Sequence, residues 1–166
     1  MSLAVRSAQP EDAEAIARVH AEGIDDRVAT FATVHPEAEG VAAAIAGGEL
    51  ILVAERDGRV IGFAKAAPYD DCASYYGGVS EATVYVAREA RRTGAGRALV
   101  EALAEAAAAR GDYKLIGKVF TSNEGSLRMF SELGWREVGV HVRHGRLDGE
   151  WKDVMVVEHL LGPARG

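Results

Sequence analysis

The stretch VYVAREARRTGAGR, residues 84–97, decides the fold, because a strand, a turn and a helix meet within it. Residues 84–86 are β-branched or aromatic, as in strands, and an apolar stripe of helical period follows over 94–110. The spaced glycines Gly94 and Gly96 let backbone N–H groups converge without obstruction by side chains. Because a helix N-terminus also carries partial positive charge, the stretch is predicted to form an anion cradle that suits a pyrophosphate.

Arginine side chains add positive charge at the same turn, at Arg91, Arg92 and Arg97. The alternative is an ordinary glycine turn with solvated arginines, since short motifs of this kind also recur by chance. Two other phosphate loops do not fit. A Walker A loop ends in Gly-Lys-Ser/Thr, but Gly96 is followed by Arg97 and Ala98. A dinucleotide fingerprint needs a third glycine, and Leu99 stands at that position.

Composition and charge restrict the class of protein. The chain has 166 residues, of which 48% are hydrophobic and 27% charged, and its net charge is −6. This length and composition predict one globular domain over residues 1–166, with a core large enough to need no disulfide. The acidic balance argues against a nucleic-acid partner and against binding to an anionic membrane surface.

The single cysteine, Cys72, excludes an internal disulfide and a cysteine-cluster metal site, and it favours a reducing compartment. The first residues lack a basic segment followed by an apolar one, so no signal peptide is predicted. No window approaches the roughly 18 consecutive apolar residues of a membrane-spanning helix. We therefore expect a cytoplasmic protein with no membrane partner.

The remaining periodicity predicts an α+β domain with the element order β-α-α-β-β-β-α-β-α-β-β. Asp57-Gly58 is a strong hairpin signal, Pro68 is expected to stop the third strand, and the tail from Gly162 is expected to fray. Strands are predicted over residues 5–6, 50–54, 60–64, 79–87, 115–121, 135–142 and 151–161, and helices over 10–23, 36–48, 94–110 and 123–133.

Residues 91–96, Arg-Arg-Thr-Gly-Ala-Gly, resemble the Arg/Gln-x-x-Gly-x-Gly/Ala coenzyme A signature of the GNAT acetyltransferases. The element order along nearly the whole chain is also similar to theirs. Stretches within residues 28–31, 81–86, 123–135 and 149–154 resemble the phosphinothricin acetyltransferase branch of that family, in the same order. The resemblance implies the GNAT fold, a mixed central β-sheet flanked by helices, with acetyl-CoA as co-substrate and no metal.

The resemblance also implies where the coenzyme would bind. Backbone groups of the strand would meet the pantetheine arm and the acetyl carbonyl, and backbone N–H groups of residues 92–97 would hold the pyrophosphate. Asn123 would reach the coenzyme from the next helix; its other reading is a plain helix cap, and both roles can coexist. The coenzyme-binding residues expected on this basis are Val84, Tyr85, Val86, Arg91, Arg92, Thr93, Gly94, Ala95, Gly96, Arg97 and Asn123.

Glu81 is the predicted general base, because an alkylammonium must lose a proton before it can attack a thioester carbonyl. Strand alternation places Thr83 and Tyr85 on the same face if no bulge intervenes. The other reading of Glu81 is a solvated strand acid, since charged residues are mostly exposed. The predicted substrate-binding residues are Phe31, Tyr75, Thr83 and Arg143.

Three parts of the sequence depart from the family's pattern. Phe130 stands where many GNAT enzymes carry a tyrosine acid. Another group, such as Tyr75, Tyr76 or water, would then protonate the thiolate, or the thiolate leaves without direct help. Residues 70–71 are both aspartate where the branch often carries an arginine, and Val142 replaces another arginine, with Arg143 next to it. These departures argue against phosphinothricin itself and leave acetyl transfer to an amine untouched.

Histidines and late apolar residues carry less specific signals. His141 and His144 lie three apart, but no acid or cysteine completes a metal-binding set at diagnostic spacing. His20 lies on the apolar side of the first helix and is expected to pack or to line a pocket. The last two strands are rich in valine, which, together with the resemblance, predicts a homodimer.

We therefore expect an acetyl-CoA-dependent N-acetyltransferase that acts on the amine of a small molecule. The expected acceptor is an amino acid or an analogue of the phosphinothricin or methionine sulfone type. Two alternatives stay open at this stage, a non-catalytic acyl-CoA-binding sensor on the same fold and a peptide N-terminal acetyltransferase.

Overall fold

The computed structural model describes residues 2–69 and 74–165, and they form a seven-stranded sheet in the order β1-β2-β3-β4-β5-β7-β6. The β4–β5 pair is parallel and all the others are antiparallel, so the sheet is mixed and the α+β class is confirmed. The strands are β1 (Leu3–Ser7), β2 (Leu50–Arg56), β3 (Arg59–Pro68), β4 (Val79–Val86), β5 (Lys114–Phe120), β6 (Arg136–Leu147) and β7 (Glu150–Leu160). The helices are α1 (Ala13–Asp25), α2 (Ala38–Ala46), α3 (Ala95–Ala109) and α4 (Glu124–Glu132).

One predicted end is confirmed and two other predictions are wrong. Pro68 stops β3 as predicted: it is the last residue of the strand and pairs with Ser80, a position that proline tolerates. The strand predicted to end at residue 142 continues to Leu147, because a second Asp-Gly turn at residues 148–149 closes it on β7. Residues 162–165 form a short 3-10 helix where fraying was expected.

The two faces of the sheet are covered by different helices. On one face, Leu99 and Leu103 of α3 are fully buried, and Leu99 approaches Gly62 of β3 so closely that a Cβ there would lie 3.0 Å away. On the other face, Phe63 contacts His20 of α1 at 5.7 Å between ring centroids. Each such buried side chain contributes roughly 1.5–3 kcal/mol of transfer free energy. The buried residues of α3 lie on the predicted apolar stripe.

An opening in the middle of the sheet positions the site. Strands β4 and β5 pair over three residue pairs, of which the last is Glu81 with Ile116. Beyond it the strands part. Ala87 donates its N–H to Ile61 of β3 at 2.8 Å, so by alternation the backbone groups of Val84 and Val86 point away from β3, into this opening.

In the part of the chain that the structure describes, none of the helices is both long and apolar enough to cross a membrane. The predicted aspartate loop at residues 70–71 and Cys72 lie outside the described residues.

Candidate active site

A cavity of about 340 Å³ lies where β4 and β5 part. It is walled by the segment after α1, by both strands, by α4 and by the hairpin of β6 and β7. The residues that line it are Ala29, Thr30, Phe31, Glu81, Ala82, Thr83, Val84, Tyr85, Lys118, Val119, Phe120, Asn123, Ser126, Phe130, His144 and Val154.

Glu81 is paired with a lysine at the wall of this cavity. Its Oε1 lies 2.9 Å from the Nζ of Lys118, and the two side chains are 36% and 46% exposed. The strand register explains the contact, because Ile116 pairs with Glu81 and Lys118 follows on the same face two residues later. Sequence analysis missed Lys118, since a single lysine in a strand carries no motif.

Phe31 lies where it was predicted, against the cavity. Its ring meets Phe120 edge-on at 4.9 Å between centroids. Gly145 makes room for it, because a Cβ at that position would lie 2.8 Å from two ring atoms of Phe31. Arg27, at the end of α1, donates to Asp148 at 3.0 Å and so ties this segment to the β6–β7 turn.

A wide bulge in β6 decides which side chain of the late hairpin reaches the cavity. His141 pairs with Val154 and Gly145 with Lys152, so three residues of β6 lie opposite Asp153 alone. Within the bulge, the backbone of Arg143 is left-handed (φ 50) and donates its N–H to Asp153 at 2.7 Å.

The bulge places His144 in the cavity lining, stacked on His141 at 4.3 Å between ring centroids. The predicted substrate residue Arg143 is outside the lining. His144 was considered in sequence only as a metal ligand, because the bulge that turns it inward leaves no trace in strand periodicity. Among the described residues, no group of three metal-ligating side chains occurs.

Tyr85 has its ring packed under α1. The ring lies so close to Gly23 that a side chain there would overlap it, and it stacks on Phe63 at 5.6 Å. His20 covers another side at 4.7 Å. Burial raises the pKa of Tyr85, opposed by a hydrogen bond with Thr30. Tyr85 is one of the cavity-lining residues, and its ring supports the cavity wall from behind, while its backbone faces β3.

Thr83 lines the cavity as predicted, but Tyr75 does not. Tyr75 is 75% exposed, and its backbone carbonyl accepts a hydrogen bond from the Tyr113 hydroxyl at 3.0 Å. At the position of the family's tyrosine acid, Phe130 is 5% exposed and packs against Trp135 at 4.7 Å. The structure therefore brings Glu81, Thr83 and Phe31 together without a hydroxyl from Phe130 or Tyr75.

The turn before α3 has the backbone geometry of an anion cradle. Arg92 and Gly94 adopt left-handed conformations, with φ of 61° and 90°. The first hydrogen bond of the helix is donated by Ala98 to Gly94 at 3.0 Å. Within the described chain, the backbone N–H groups of residues 92–97 make no hydrogen bond, so they are free to donate to an anion.

The arginine side chains contribute less charge to the cradle than sequence suggested. Arg91 donates to the Val86 carbonyl at 3.2 Å and lies 2.6 Å from Asp26. Arg97 forms ion pairs with Glu132 at 3.1 Å and with Glu101 at 3.4 Å. Carboxylates thus hold two of the three predicted cations, and backbone N–H groups are the main feature of the cradle.

Asp26 links the end of α1 to the cradle turn. Its carboxylate pairs with Arg88 at 2.8 Å as well as with Arg91. The hydrogen bond from Arg88 is the main cause that lowers the pKa of Asp26. The buried Oδ2 of Asp26 accepts no hydrogen bond, so its close contact with Arg91 is an ion pair without hydrogen-bond alignment.

Asn123 caps α4 and also lines the cavity. Its Oδ1 accepts a hydrogen bond from the N–H of Ser126 at 3.3 Å, and its amide donates to the carbonyl of Val28 at 3.5 Å. The helix-cap role is confirmed. The side chain is thus held in the cavity lining by both hydrogen bonds.

Comparison with known proteins agrees with this geometry. The profile of the Acetyltransferase (GNAT) family matches residues 16–135. A phosphinothricin N-acetyltransferase of Alcaligenes faecalis is 32% identical over 95% of this chain and 82% of its own length. The L-methionine sulfoximine/L-methionine sulfone acetyltransferase of Pseudomonas paraeruginosa is 26% identical over 99% of this chain and 98% of its own length.

Among solved structures, the phosphinothricin acetyltransferase of Sinorhizobium meliloti, in complex with AcCoA, superposes with a TM-score of 0.90. It is 26% identical and covers 98% of this chain and 90% of its own. The chain therefore belongs to the GNAT family of acetyltransferases and has the GNAT fold. It is an N-acetyltransferase.

Proposed function

We propose that this enzyme transfers the acetyl group of acetyl-CoA to the amine of a small molecule, an amino acid or an analogue of the phosphinothricin or methionine sulfone type. One observation carries the proposal: β4 holds the cavity-lining carboxylate of Glu81 and ends at Val86, which a Cβ at Gly96 would approach to 3.5 Å, in the turn where the N–H groups of residues 92–97 have no partner within the described chain. The named activities of the Alcaligenes and Pseudomonas relatives support the acceptor class.

The residues of the opening fit the coenzyme. The free N–H groups of residues 92–97 bind the pyrophosphate, because they have no partner within the described chain and lie at the N-terminus of α3. The backbone groups of Val84 and Val86 bind the pantetheine arm, and backbone N–H groups near Val86 stabilise negative charge that develops on the acetyl oxygen. When bound, acetyl-CoA supplies a thioester whose carbonyl carbon the amine attacks.

Glu81 prepares the amine for that attack. It accepts a proton from the bound ammonium, directly or through one water, at the wall of the cavity. Phe130 offers no proton to the departing thiolate, and Tyr75 is outside the lining. A thiol of ordinary pKa, about 8.5, can leave as a thiolate or take its proton from water.

Glu81→Gln tests the proposal, since the variant keeps the size of the side chain and removes the base. The expected result is a fall in turnover of about 10²–10⁴-fold with the KM for acetyl-CoA unchanged. Release of coenzyme A is followed with a thiol reagent over a panel of amines, and the acetylated product is identified by mass spectrometry. Glu105→Gln, an exposed change on α3, is the matched control.

Two results would contradict the proposal. If the turnover of Glu81→Gln stays within a few-fold of the wild-type value across the pH range, Glu81 is not the general base. Tight binding of acetyl-CoA by calorimetry, without thiol release for any amine, would show the non-catalytic sensor instead.

We further propose that the protein is a homodimer that associates through β6. This strand is at the edge of the sheet, and Val138, Val140 and Val142 are 48%, 43% and 70% exposed. Trp151, which pairs with Arg146 farther along the same hairpin, is 50% exposed. An apolar edge strand of this length is a template for pairing with a second chain.

Two broader features complete the proposal. Residues 1–166 form one N-acetyltransferase domain, which is supported by a single sheet that runs from β1 to β7. The location is cytoplasmic, which is supported by a composition with one cysteine and no possible internal disulfide.

A further inference from the structure

Lys118 places a positive charge beside the carboxylate that is proposed to receive the acceptor's proton. Its Nζ lies 2.9 Å from Glu81 Oε1, and both side chains line the cavity. The ammonium also lies 5.6 Å from the centre of the Tyr69 ring, which attracts cations. The lysine is therefore held where the reacting amine has to approach.

A simple amine meets an unfavourable arrangement of charge at this place. Its ammonium must contact Glu81, and it then shares one carboxylate with the ammonium of Lys118. Two like charges at about 4 Å repel each other by about 1 kcal/mol in water and more in a partly closed cavity. The amine binds weakly, or it displaces Lys118 from Glu81.

An acceptor with a carboxylate next to its amine removes this conflict. Its ammonium pairs with Glu81 while its carboxylate pairs with Lys118, so each of the four charges has opposite neighbours. The spacing agrees, because the nitrogen and a carboxylate oxygen of an α-amino acid are three bonds, or about 3 Å, apart. The Glu81–Lys118 separation of 2.9 Å is of the same size.

We propose that Lys118 determines specificity by binding the carboxylate on the carbon that carries the reacting amine. Acceptors are then free α-amino acids, and simple amines and peptide N-termini are poor substrates. A peptide has an amide at that carbon, which leaves the ammonium of Lys118 without a charged partner. This inference rests on the proposed acetyl transfer and concerns the choice of acceptor alone.

The test compares three acceptors with one side chain: methionine sulfone, its decarboxylated amine and its carboxamide. For the wild type, kcat/KM should be at least tenfold higher for the amino acid than for the other two. Lys118→Met should reduce this ratio tenfold or more, and Lys118→Arg, which keeps the charge, should preserve most of it. Lys152→Met, on a lysine outside the cavity lining, is the control and should leave the ratio unchanged.

Thermal melting and the KM for acetyl-CoA show whether the variants are intact, and Lys118→Gln is a second variant of different polarity. If Lys118→Met and Lys118→Gln lower kcat/KM equally for all three acceptors, Lys118 acts on Glu81 alone and the inference is wrong. A wild type that prefers the carboxamide overturns it as well. A wild type that releases thiol with none of the three overturns the proposed function, and the inference with it.

Discussion

Replacing Gly145 by alanine perturbs the acceptor wall of the cavity through one contact. The added Cβ would lie 2.8 Å from two ring atoms of Phe31 and 3.2 Å from a third. Ordinary contact begins at 3.4 Å, so the ring must retreat by at least 3.4 − 2.8, or about 0.6 Å. Phe31 lies in the segment between α1 and α2 and is half-buried, so it is free to move.

The size of the effect follows from that displacement. Overpacking commonly costs about 1–3 kcal/mol, and we expect the lower end because Phe31 can yield. Misplacement of a positioning group by about 1 Å can reduce catalysis about 10²-fold, so a shift of little more than half that size should lower kcat/KM for the amine roughly tenfold. The KM for acetyl-CoA should not change, since the cradle lies on other elements.

Gly139→Ala is the matched control on the same strand. A Cβ at Gly139 meets nothing within 4 Å, and its backbone is not left-handed. The assay is steady-state release of coenzyme A with acceptor and acetyl-CoA varied separately, together with urea unfolding of both variants. Equal kinetics for the two variants, with both folded, would show that the contact between Gly145 and Phe31 does not position the acceptor.

Three further outcomes are expected. Gly94→Ala should raise the KM for acetyl-CoA several-fold. Gly48→Ala has a similar φ (86° against 90°) and the same backbone cost of about 1–2 kcal/mol, but it should leave this KM unchanged. An equal KM for the two variants would contradict the anion cradle. Burial and the positive charge of Lys65 lower the pKa of His20 below its usual value near 6.5. The unfolded state therefore binds the proton at a higher pH than the folded state does, and the stability falls as the pH drops below that value. His20→Phe should flatten this fall in urea unfolding between pH 7.5 and 5.5, and an unchanged slope would exclude His20 as its source. Light scattering should give about 35 kDa, twice 17.6 kDa, with Val142→Asp shifted toward the monomer; a monomer mass at every concentration would contradict the dimer.

Much of the fold could be predicted from the sequence because it depends on neighbours in the chain. The Asp57-Gly58 hairpin has φ of 52° and 73°, values that this residue pair adopts readily. Helix α3 begins at Ala95 after the left-handed Gly94, as the glycine spacing predicted. Such features result from backbone preferences and side-chain periodicity, which act over a few residues, and so they are present in the sequence alone.

The composition of the site was decided by tertiary structure. Lys118 faces Glu81 because the register of β4 and β5 aligns residues that are 37 positions apart (118 − 81). His144 lines the cavity, and Arg143 does not, because a bulge in β6 shifts the alternation of side chains. Asp26 takes up Arg91 because the end of α1 packs against the cradle turn.

These placements share a physical cause. The sequence by itself determined the backbone of the cradle, the strand that carries Glu81 and the membership of the family, all of which depend on local order along the chain. Which charges meet, and which side chains face the cavity, depended on strand register and helix packing. Both are set by the burial of the whole core, which no single segment of the sequence encodes.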